Sequence, residues 1–264
     1  MSKSNSLLSL RVVSLYEDVL NIYSDRGNRL AVEARAAELG VSVDVDLISI
    51  GDRLPIDADL VLIGGGQDRE QAIVSMDLLA KGGTLRKWAA DNVAMLAVCG
   101  GFQLFGHWFR NSEGVFLKGI DVFDCVSIVP ASGNLRLVGD VISQSSIDNL
   151  GMIVGYENHG GQTFLGSSAL PFAKIEVGFG NNGVDGTEGA RRNSCVGTYL
   201  HGSVLPNNSQ LLDWLLTRAI EHRISQGGEF DSVVSEKILQ YSELGAASEY
   251  ARKLTSTTVR EEQG

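Results

Sequence analysis

The chain has 264 residues, of which 44% are hydrophobic and 20% are charged, and its formal net charge at pH 7 is −10. This balance is typical of a globular protein with a sizeable core, and the length suits one large α/β domain or two small ones. The negative charge argues against binding of nucleic acid or of an anionic membrane through general electrostatics.

The first half of the chain alternates between strand and helix patterns. Short apolar runs predict strands over residues 10–16, 43–48, 59–63 and 93–98. Apolar residues at helical spacing predict helices over residues 28–39, 68–80, 84–90 and 102–110. Aspartates alternate along the second strand, which favours a place near a sheet edge. This order of elements predicts an α/β fold with a mostly parallel, doubly wound sheet flanked by helices.

The second half of the chain changes character. Short strand patterns between Gly- and Asn-rich turns lie over residues 119–129, 134–143, 151–158, 173–178 and 194–200. We expect part of this region to be antiparallel, with a turn or hairpin at residues 181–186. An amphipathic helix is predicted over residues 206–224, and residues 231–254 favour one or two more. Without a repeat or linker, we predict a single domain over residues 1–254 and a polar tail over residues 255–264.

The strand over residues 93–98 ends at Cys99, and Gly100 and Gly101 follow directly. A glycine pair between a strand and a helix allows a sharp turn, which is the geometry of a nucleophile elbow, here with Cys in place of Ser. The amides that open the next helix favour a thiolate through their partial positive charge. A cysteine that is buried by packing alone is the simpler alternative, but it fits poorly beside such a turn.

The other two cysteines, Cys125 and Cys195, form no CxxC pair, and the total of three is odd. We therefore expect neither a metal site nor a disulfide framework, and we expect a reducing, cytoplasmic location. The N-terminal residues lack the long apolar segment of a signal peptide, and no apolar run reaches the length of a transmembrane helix.

A cysteine nucleophile needs a base within hydrogen-bond reach, and the chain has four histidines. His201 follows a predicted strand at the edge where such sheets carry their sites, so we predict that it is the base. His159 lies in a polar, Gly-flanked loop that is also expected to line the site, unless its side chains only satisfy the local backbone. His107 and His222 lie on predicted helices and are better explained as structural residues.

Acyl transfer also needs hydrogen-bond donors for the tetrahedral oxyanion. Three glycines at residues 64–66 follow a predicted strand, so the amides of Gly65 and Gly66 are candidate donors, and the Gly100 amide is another. Taken alone, three glycines indicate only a flexible turn. Because the chain also has a cysteine in a nucleophile elbow, we expect their amides to stabilise the oxyanion.

Three motifs, in this order, resemble the class I glutamine amidotransferases of the cobyric-acid-synthase-like branch. They are Gly64-Gly65-Gly66-Gln67-Asp68, Ala97-Val98-Cys99-Gly100-Gly101-Phe102-Gln103 and Gly197-Thr198-Tyr199-Leu200-His201-Gly202. Two further stretches, NIYSDRGN at residues 21–28 and YENHGG at residues 156–161, resemble the GatD family, the glutaminase subunits of bacterial lipid II isoglutaminyl synthase. The resemblance extends over roughly residues 10–224.

This resemblance implies that Cys99 attacks the side-chain amide of L-glutamine, while His201 takes the thiol proton and returns a proton to the leaving ammonia. It implies a heterodimer with a MurT-like, ATP-dependent ligase, which uses the ammonia to amidate the D-glutamate of lipid II to D-isoglutamine in peptidoglycan synthesis. ATP and Mg²⁺ are expected on that ligase. This chain is expected to hold no cofactor, because nothing in it resembles a P-loop.

The resemblance also implies residues that bind the substrate. Arg136 matches the family's glutamine-binding arginine, and a guanidinium suits the α-carboxylate of glutamine, although an arginine on a strand surface is an equal alternative. Gln103, four residues after the nucleophile, is a further candidate. The loop residues Asn158 and His159 complete the predicted set.

The chain departs from the family at Ser203. Many class I members have a glutamate at this position, two residues after the histidine, which orients the imidazole. We hypothesise that an acid of the ligase subunit completes the triad, which would keep the isolated chain slow. Ala97 replaces the first glycine of the usual elbow, and little effect is expected because alanine is small.

Three other functions are considered. An amidotransferase component for another acceptor, such as a corrinoid carboxylate, usually comes fused to its synthetase, and this chain is short for that fusion. A non-catalytic scaffold subunit is disfavoured by the presence of both Cys99 and His201. A stand-alone cysteine hydrolase is disfavoured by the Tyr-Leu-His-Gly motif at residues 199–202.

Overall fold

The computed structural model describes residues 9–22, 25–131, 136–201 and 203–228. Its helices are α1 (Arg26–Leu39), α2 (Asp68–Ala90), α3 (Gly100–Phe105), α4 (Val204–Asn207) and α5 (Ser209–Ser225). Its strands are β1 (Ser9–Leu15), β2 (Ser42–Ile48), β3 (Leu60–Ile63), β4 (Ala94–Val98), β5 (Trp108–Arg110), β6 (Phe116–Lys118), β7 (Cys125–Ile128), β8 (Leu137–Ser145), β9 (Met152–His159), β10 (Gln162–Leu165), β11 (Ala173–Val177), β12 (Thr187–Glu188), β13 (Ala190–Arg192) and β14 (Cys195–Thr198). The helices predicted within residues 231–254 and the polar tail lie outside the described residues. None of the described helices is long and apolar enough to cross a membrane.

Six strands form the central sheet, in the order β13-β14-β4-β3-β1-β2. All neighbouring pairs are parallel except β13 with β14, which confirms the predicted, mostly parallel sheet. β2 lies at one edge, as its alternating aspartates predict. β3 and β4 lie in the middle of the sheet, and all of their residues are buried. α5 packs against β1, β3 and β4 and also contacts α1.

The chain between α3 and β13 builds two smaller sheets, in the orders β10-β7-β5-β6 and β12-β11-β8-β9. Their pairs are antiparallel except β5 with β7, which confirms that part of the second half is antiparallel. The predicted turn at residues 181–186 lies between β11 and β12. In it, the Asn182 side-chain oxygen accepts hydrogen bonds from the amides of Val184 and Asp185.

The helix predicted over residues 102–110 is shorter than expected. α3 ends at Phe105, and the chain then enters β5. Residues 119–123, predicted to be part of a strand, instead donate amides to carbonyl groups in and after α3; the Ile120 amide, for example, lies 2.9 Å from the Leu104 oxygen. These bonds satisfy carbonyl groups at the helix end, so only β7 remains of the predicted strand.

Two predicted helix boundaries are also wrong. α2 runs without interruption through a pair of adjacent glycines where we predicted a break, and Gly82 permits close packing there, because a Cβ at this position would lie 3.0 Å from the side chain of Ile120. The helix predicted over residues 206–224 is divided into α4 and α5 at Asn208. The Asn208 amide bonds both the N–H and the carbonyl group of Val154 in β9, at 2.9 and 2.8 Å, which ties the break to the neighbouring sheet.

Gly83 offers a test of how α2 is built. It is exposed in the helix interior, and no heavy atom lies within 4 Å of the place where a Cβ would stand. Gly83→Ala should stabilise the protein by about 0.5–1 kcal/mol, because alanine loses less backbone entropy than glycine when it enters a helix. Thermal unfolding followed by circular dichroism should show the melting temperature rising by about 2–4 °C per kcal/mol.

Gly197→Ala in β14 is the matched control. A Cβ there would lie 2.2 Å from a ring carbon of Phe102, so the same chemical change should lower the melting temperature. A fall in melting temperature for Gly83→Ala would contradict the continuous helix.

Candidate active site

A sharp backbone turn at the end of β4 presents Cys99. Its φ is 49° and its ψ is −104°, a conformation that residues other than glycine rarely adopt. The Cys99 amide donates to the Thr198 carbonyl at 2.8 Å, and the Gly101 amide donates to the Gly64 carbonyl at 3.2 Å. Bonds from the strands on both sides therefore hold the strained turn in place.

His201 lies just beyond the end of β14, the strand that pairs with β4. Its amide donates to the Tyr156 carbonyl at 2.7 Å, and its side chain is buried. Gly65 lies between the two predicted reacting residues. A Cβ at Gly65 would lie 3.0 Å from both Cys99 Cβ and His201 Cε1, so these two atoms are at most twice that distance apart. The fold thus brings the predicted nucleophile and base together.

The buried surroundings keep the proton on Cys99. Burial is the main cause that raises the pKa of the thiol to about 12, and the negative charge of Asp25 acts in the same direction. A hydrogen bond from the Gly100 amide and the positive charge of Arg136 act against this rise. At neutral pH the sulfur is therefore a thiol, with its nearest backbone donor already in position to stabilise a thiolate.

His201 is shifted in the opposite direction. Burial, followed by electrostatic interactions with His159 and with the positive charge of Arg136, lowers the pKa of His201 to about 3. The imidazole is therefore neutral at neutral pH and has a nitrogen lone pair that can accept the thiol proton. It is a weak base in this setting, because the imidazolium that would form is desolvated and lies near the positive charge of Arg136.

The glycine loop at residues 64–66 differs in part from the prediction. The Gly65 amide already donates to the Asp25 carboxylate at 2.7 Å, so in this arrangement it does not serve as an oxyanion donor. The Gly66 carbonyl accepts a hydrogen bond from Gln71, and the role predicted for the Gly66 amide stays a prediction. The Gly100 amide forms a hydrogen bond with the Cys99 sulfur, and its predicted role as an oxyanion donor stays a prediction.

Arg136 and Asn158 form one unit at the edge of the site. Arg136 is exposed, and its guanidinium donates to both the side-chain and the backbone oxygen of Asn158, each at 2.9 Å. Its charge acts on both Cys99 and His201, so it lies within electrostatic range of the nucleophile. Asn158 therefore orients a cation that is suited to an anionic group of a substrate.

Gln103 and His159, predicted to touch substrate, are buried and engaged with protein groups. Gln103 donates to the Tyr199 hydroxyl at 3.1 Å, and that hydroxyl lies 2.6 Å from the Thr163 hydroxyl. The His159 ring stacks on Tyr199 at 3.6 Å, and its Nδ1 lies 2.7 Å from the Gly161 carbonyl. Both side chains are therefore held by other groups of the protein, and their predicted contact with substrate stays a prediction.

The remaining histidines are structural, as predicted, although His107 lies in a turn after α3 rather than on a helix. Its two ring nitrogens face Asp121 and Asp124 at 2.7 and 2.9 Å. His222 pairs with the buried Asp59 at 2.9 Å and anchors α5 to the sheet. No cluster of three or more His, Cys, Asp or Glu suited to a metal ion occurs among the described residues.

Sequence reasoning missed two acids of this region. Asp25, in the segment NIYSDRGN, reaches the glycine loop. Glu188 is buried and accepts hydrogen bonds from the Thr198 hydroxyl and the Tyr199 amide, at 2.9 and 2.7 Å, just before His201. The signal for Asp25 was present, since its polar segment follows the first strand; Glu188 lies in a two-residue strand that no local pattern indicates.

Residues 11–209 match the protein family described as the CobB/CobQ-like glutamine amidotransferase domain. The GatD subunit of the lipid II isoglutaminyl synthase (glutamine-hydrolyzing) of Staphylococcus aureus is 36% identical, over 81% of this chain and 86% of its own. The same subunit of Streptococcus pneumoniae is 32% identical, over 92% of this chain and 94% of its own. A probable cobyric acid synthase of Methanothermobacter thermautotrophicus is 30% identical, over 61% of this chain but only 33% of its own.

Solved structures show the same fold at low sequence identity. A glutamine amidotransferase of Thermotoga maritima matches with a TM-score of 0.51 and 15% identity, over 90% of this chain and 94% of its own. PurLQS of the same organism includes a chain that matches with a TM-score of 0.51 and 14% identity, over 79% of this chain and 98% of its own. The architecture is therefore that of the class I glutamine amidotransferases.

Gly65→Ala tests whether Cys99 and His201 act across Gly65. The added methyl group would lie too close to both side chains and should force them apart. A displacement of this kind should reduce any activity that needs both groups by about 100-fold. Gly83→Ala is the control, since no heavy atom lies within 4 Å of the place where its Cβ would stand. Turnover of the candidate substrate, glutamine, measures the effect, and equal activity of the two variants would contradict this geometry.

Proposed function

Because the chain belongs to the CobB/CobQ-like glutamine amidotransferase family, and within it to the GatD proteins, we propose that it is the glutamine-hydrolysing subunit of a lipid II isoglutaminyl synthase. The observation that carries this proposal is the strained cysteine turn, with Cys99 beside His201 across Gly65. The two GatD relatives align over most of their own length, which supports a function for the whole chain rather than for one shared motif.

Hydrolysis begins with transfer of a proton from the Cys99 thiol to His201. The thiolate attacks the side-chain amide carbon of L-glutamine, and the carbonyl oxygen becomes an oxyanion near the Gly100 amide. His201 returns the proton to the nitrogen as the carbon–nitrogen bond breaks, and ammonia leaves. Water, activated by the same histidine, then cleaves the thioester and releases glutamate, which restores the free thiol.

Arg136 is proposed to bind the α-carboxylate of glutamine. Its guanidinium can form paired hydrogen bonds with a carboxylate, and the two bonds to Asn158 fix its orientation. Ammonia is proposed to pass to a MurT-like ligase, which holds ATP and Mg²⁺ and amidates the D-glutamate of lipid II. This chain then needs no cofactor of its own.

An acid from the ligase is proposed to complete the triad. The residue two positions after His201 is Ser203, and a Cβ on Gly27 would lie 2.2 Å from its hydroxyl oxygen, so Ser203 packs against the start of α1. A carboxylate brought next to His201 would raise the pKa of the imidazole from about 3 and strengthen it as a base. The partner would thus switch on glutamine hydrolysis when the acceptor enzyme is present.

Glutamate release from glutamine by the purified chain, with and without a co-expressed MurT-like ligase, tests the proposal. We expect slow release by the chain alone, faster release with the ligase and none for Cys99→Ala, which lacks the nucleophile. Cys195→Ala should stay active, because this thiol is buried within β14. Full-rate hydrolysis by the chain alone would exclude the partner acid, and no release in either sample would exclude the glutaminase.

Arg136→Ala should raise KM for glutamine with little change in kcat. A hydrogen bond to a charged group contributes about 1.5–3 kcal/mol, which corresponds to a rise in KM of about 10- to 150-fold. Arg136→Lys should be only partly active, since lysine lacks the planar pair of donors. Arg191→Ala is the control, because that arginine bonds Ser146 rather than Asn158. An unchanged KM for Arg136→Ala would assign it to the strand surface.

A further inference from the structure

The segment before and at the start of α1 touches both loops of the site. The Asp25 carboxylate accepts the Gly65 amide at 2.7 Å. Three residues later, the Asn28 side-chain oxygen accepts the Leu205 amide at 3.0 Å, in the chain that follows His201. This polar segment therefore connects the glycine loop with the histidine loop.

The Asp25 carboxylate is unusual because it is buried and receives few contacts that would stabilise its negative charge. Only 6% of the residue is exposed, and among the described residues its Oδ1 has no hydrogen-bond partner. The nearby Arg29 is engaged by Glu17 and Glu33 instead. Burial raises the pKa of Asp25 to about 7. A neutral asparagine could accept the same amide proton, so the hydrogen bond alone does not require a carboxylate.

We propose that Asp25 is a positioning residue of the nucleophile site: its carboxylate holds the Gly65 peptide between Cys99 and His201 and places a negative charge beside the thiol. This role serves the proposed glutamine hydrolysis. The geometry that supports it is the pair of short distances at Gly65, to Asp25 on one side and to Cys99 and His201 on the other.

The charges that face Cys99 come from four parts of the fold. Asp25 before α1 and Asp68 at the start of α2 disfavour the thiolate, whereas Arg136 before β8 and the Gly100 amide favour it. His201 after β14 is neutral at neutral pH. After burial, Asp25 has the largest effect of these groups. Its negative charge therefore favours the protonated thiol, and removal of that charge should lower the pKa of Cys99.

The experiment measures how fast iodoacetamide alkylates Cys99 in the full-length chain between about pH 6 and pH 10, by mass spectrometry of the Cys99 peptide. Asp25→Asn keeps an oxygen for the Gly65 amide but removes the charge. Thiolate should then form at lower pH, and alkylation above pH 7 should be faster by about tenfold, the effect of one pKa unit. Below about pH 7 the native Asp25 is itself protonated, so the two profiles should converge.

Two control variants make this result specific. Asp68→Asn removes the acid with the smallest effect on Cys99 and should move the profile less than Asp25→Asn does. Cys99→Ala reports any labelling of Cys125 and Cys195, which are both buried. A purely structural role for Asp25 would not produce a difference that appears above pH 7 and disappears below it.

An alkylation profile of Asp25→Asn that superimposes on that of the native chain would overturn the proposal. If the variant does not fold, carbon-13 NMR of labelled aspartate in the native chain gives the second test. An aspartate that ionises near pH 7 would support the proposal, and a buried aspartate that stays protonated up to pH 10 would overturn it, because no negative charge would then lie beside the thiol. Alkylation needs no glutamine, so a shifted profile together with absent glutaminase activity would reject the proposed function and leave the role of Asp25 standing.

Discussion

The backbone strain at Cys99 is the constraint on which the rest of the site depends. A positive φ at a residue other than glycine costs about 1–3 kcal/mol and persists only where the surroundings enforce it. Here β4 lies between β3 and β14, and bonds from the ends of both neighbours fix the turn. Because these three strands are parallel, their carboxyl ends bring the glycine loop, the cysteine and the histidine to one edge of the sheet.

The parallel half of the fold was predictable because its elements carry their signals locally. β1, β3 and β4 are largely apolar and β2 alternates with aspartates, and each matched a predicted strand to within one or two residues. The antiparallel half was predicted only in part, because strands such as β5, β6 and β12 have two or three residues and depend on pairing with distant segments. The two glycines inside α2 indicated a helix break. The helix instead continues through them, and Gly82 packs closely against Ile120.

The site, like the fold, was predicted from the sequence only in part. The proximity of Cys99 and His201 followed from motifs at the ends of buried strands, and the fold places them together. The contact between Asp25 and Gly65 joins residues forty positions apart, so no local pattern reports it. The polar loop around His159 suggested a residue that lines the site, and in the structure the ring is buried and stacks on Tyr199. Local chemistry predicted which residues gather, and packing decided which of them are buried.

The burial of this site opposes the first proton transfer of the proposed reaction. Desolvation raises the pKa of Cys99 and lowers that of His201, so both shifts oppose the thiolate–imidazolium pair that must form for attack. A substrate carboxylate bound to Arg136 would offset a positive charge that favours the thiolate but disfavours the imidazolium, so the two effects oppose each other and substrate binding alone does not reverse this balance. A negative group beside His201 would reverse it, because it stabilises the imidazolium. The acid that we propose a partner supplies would therefore couple glutamine hydrolysis to the presence of an enzyme that can use the ammonia.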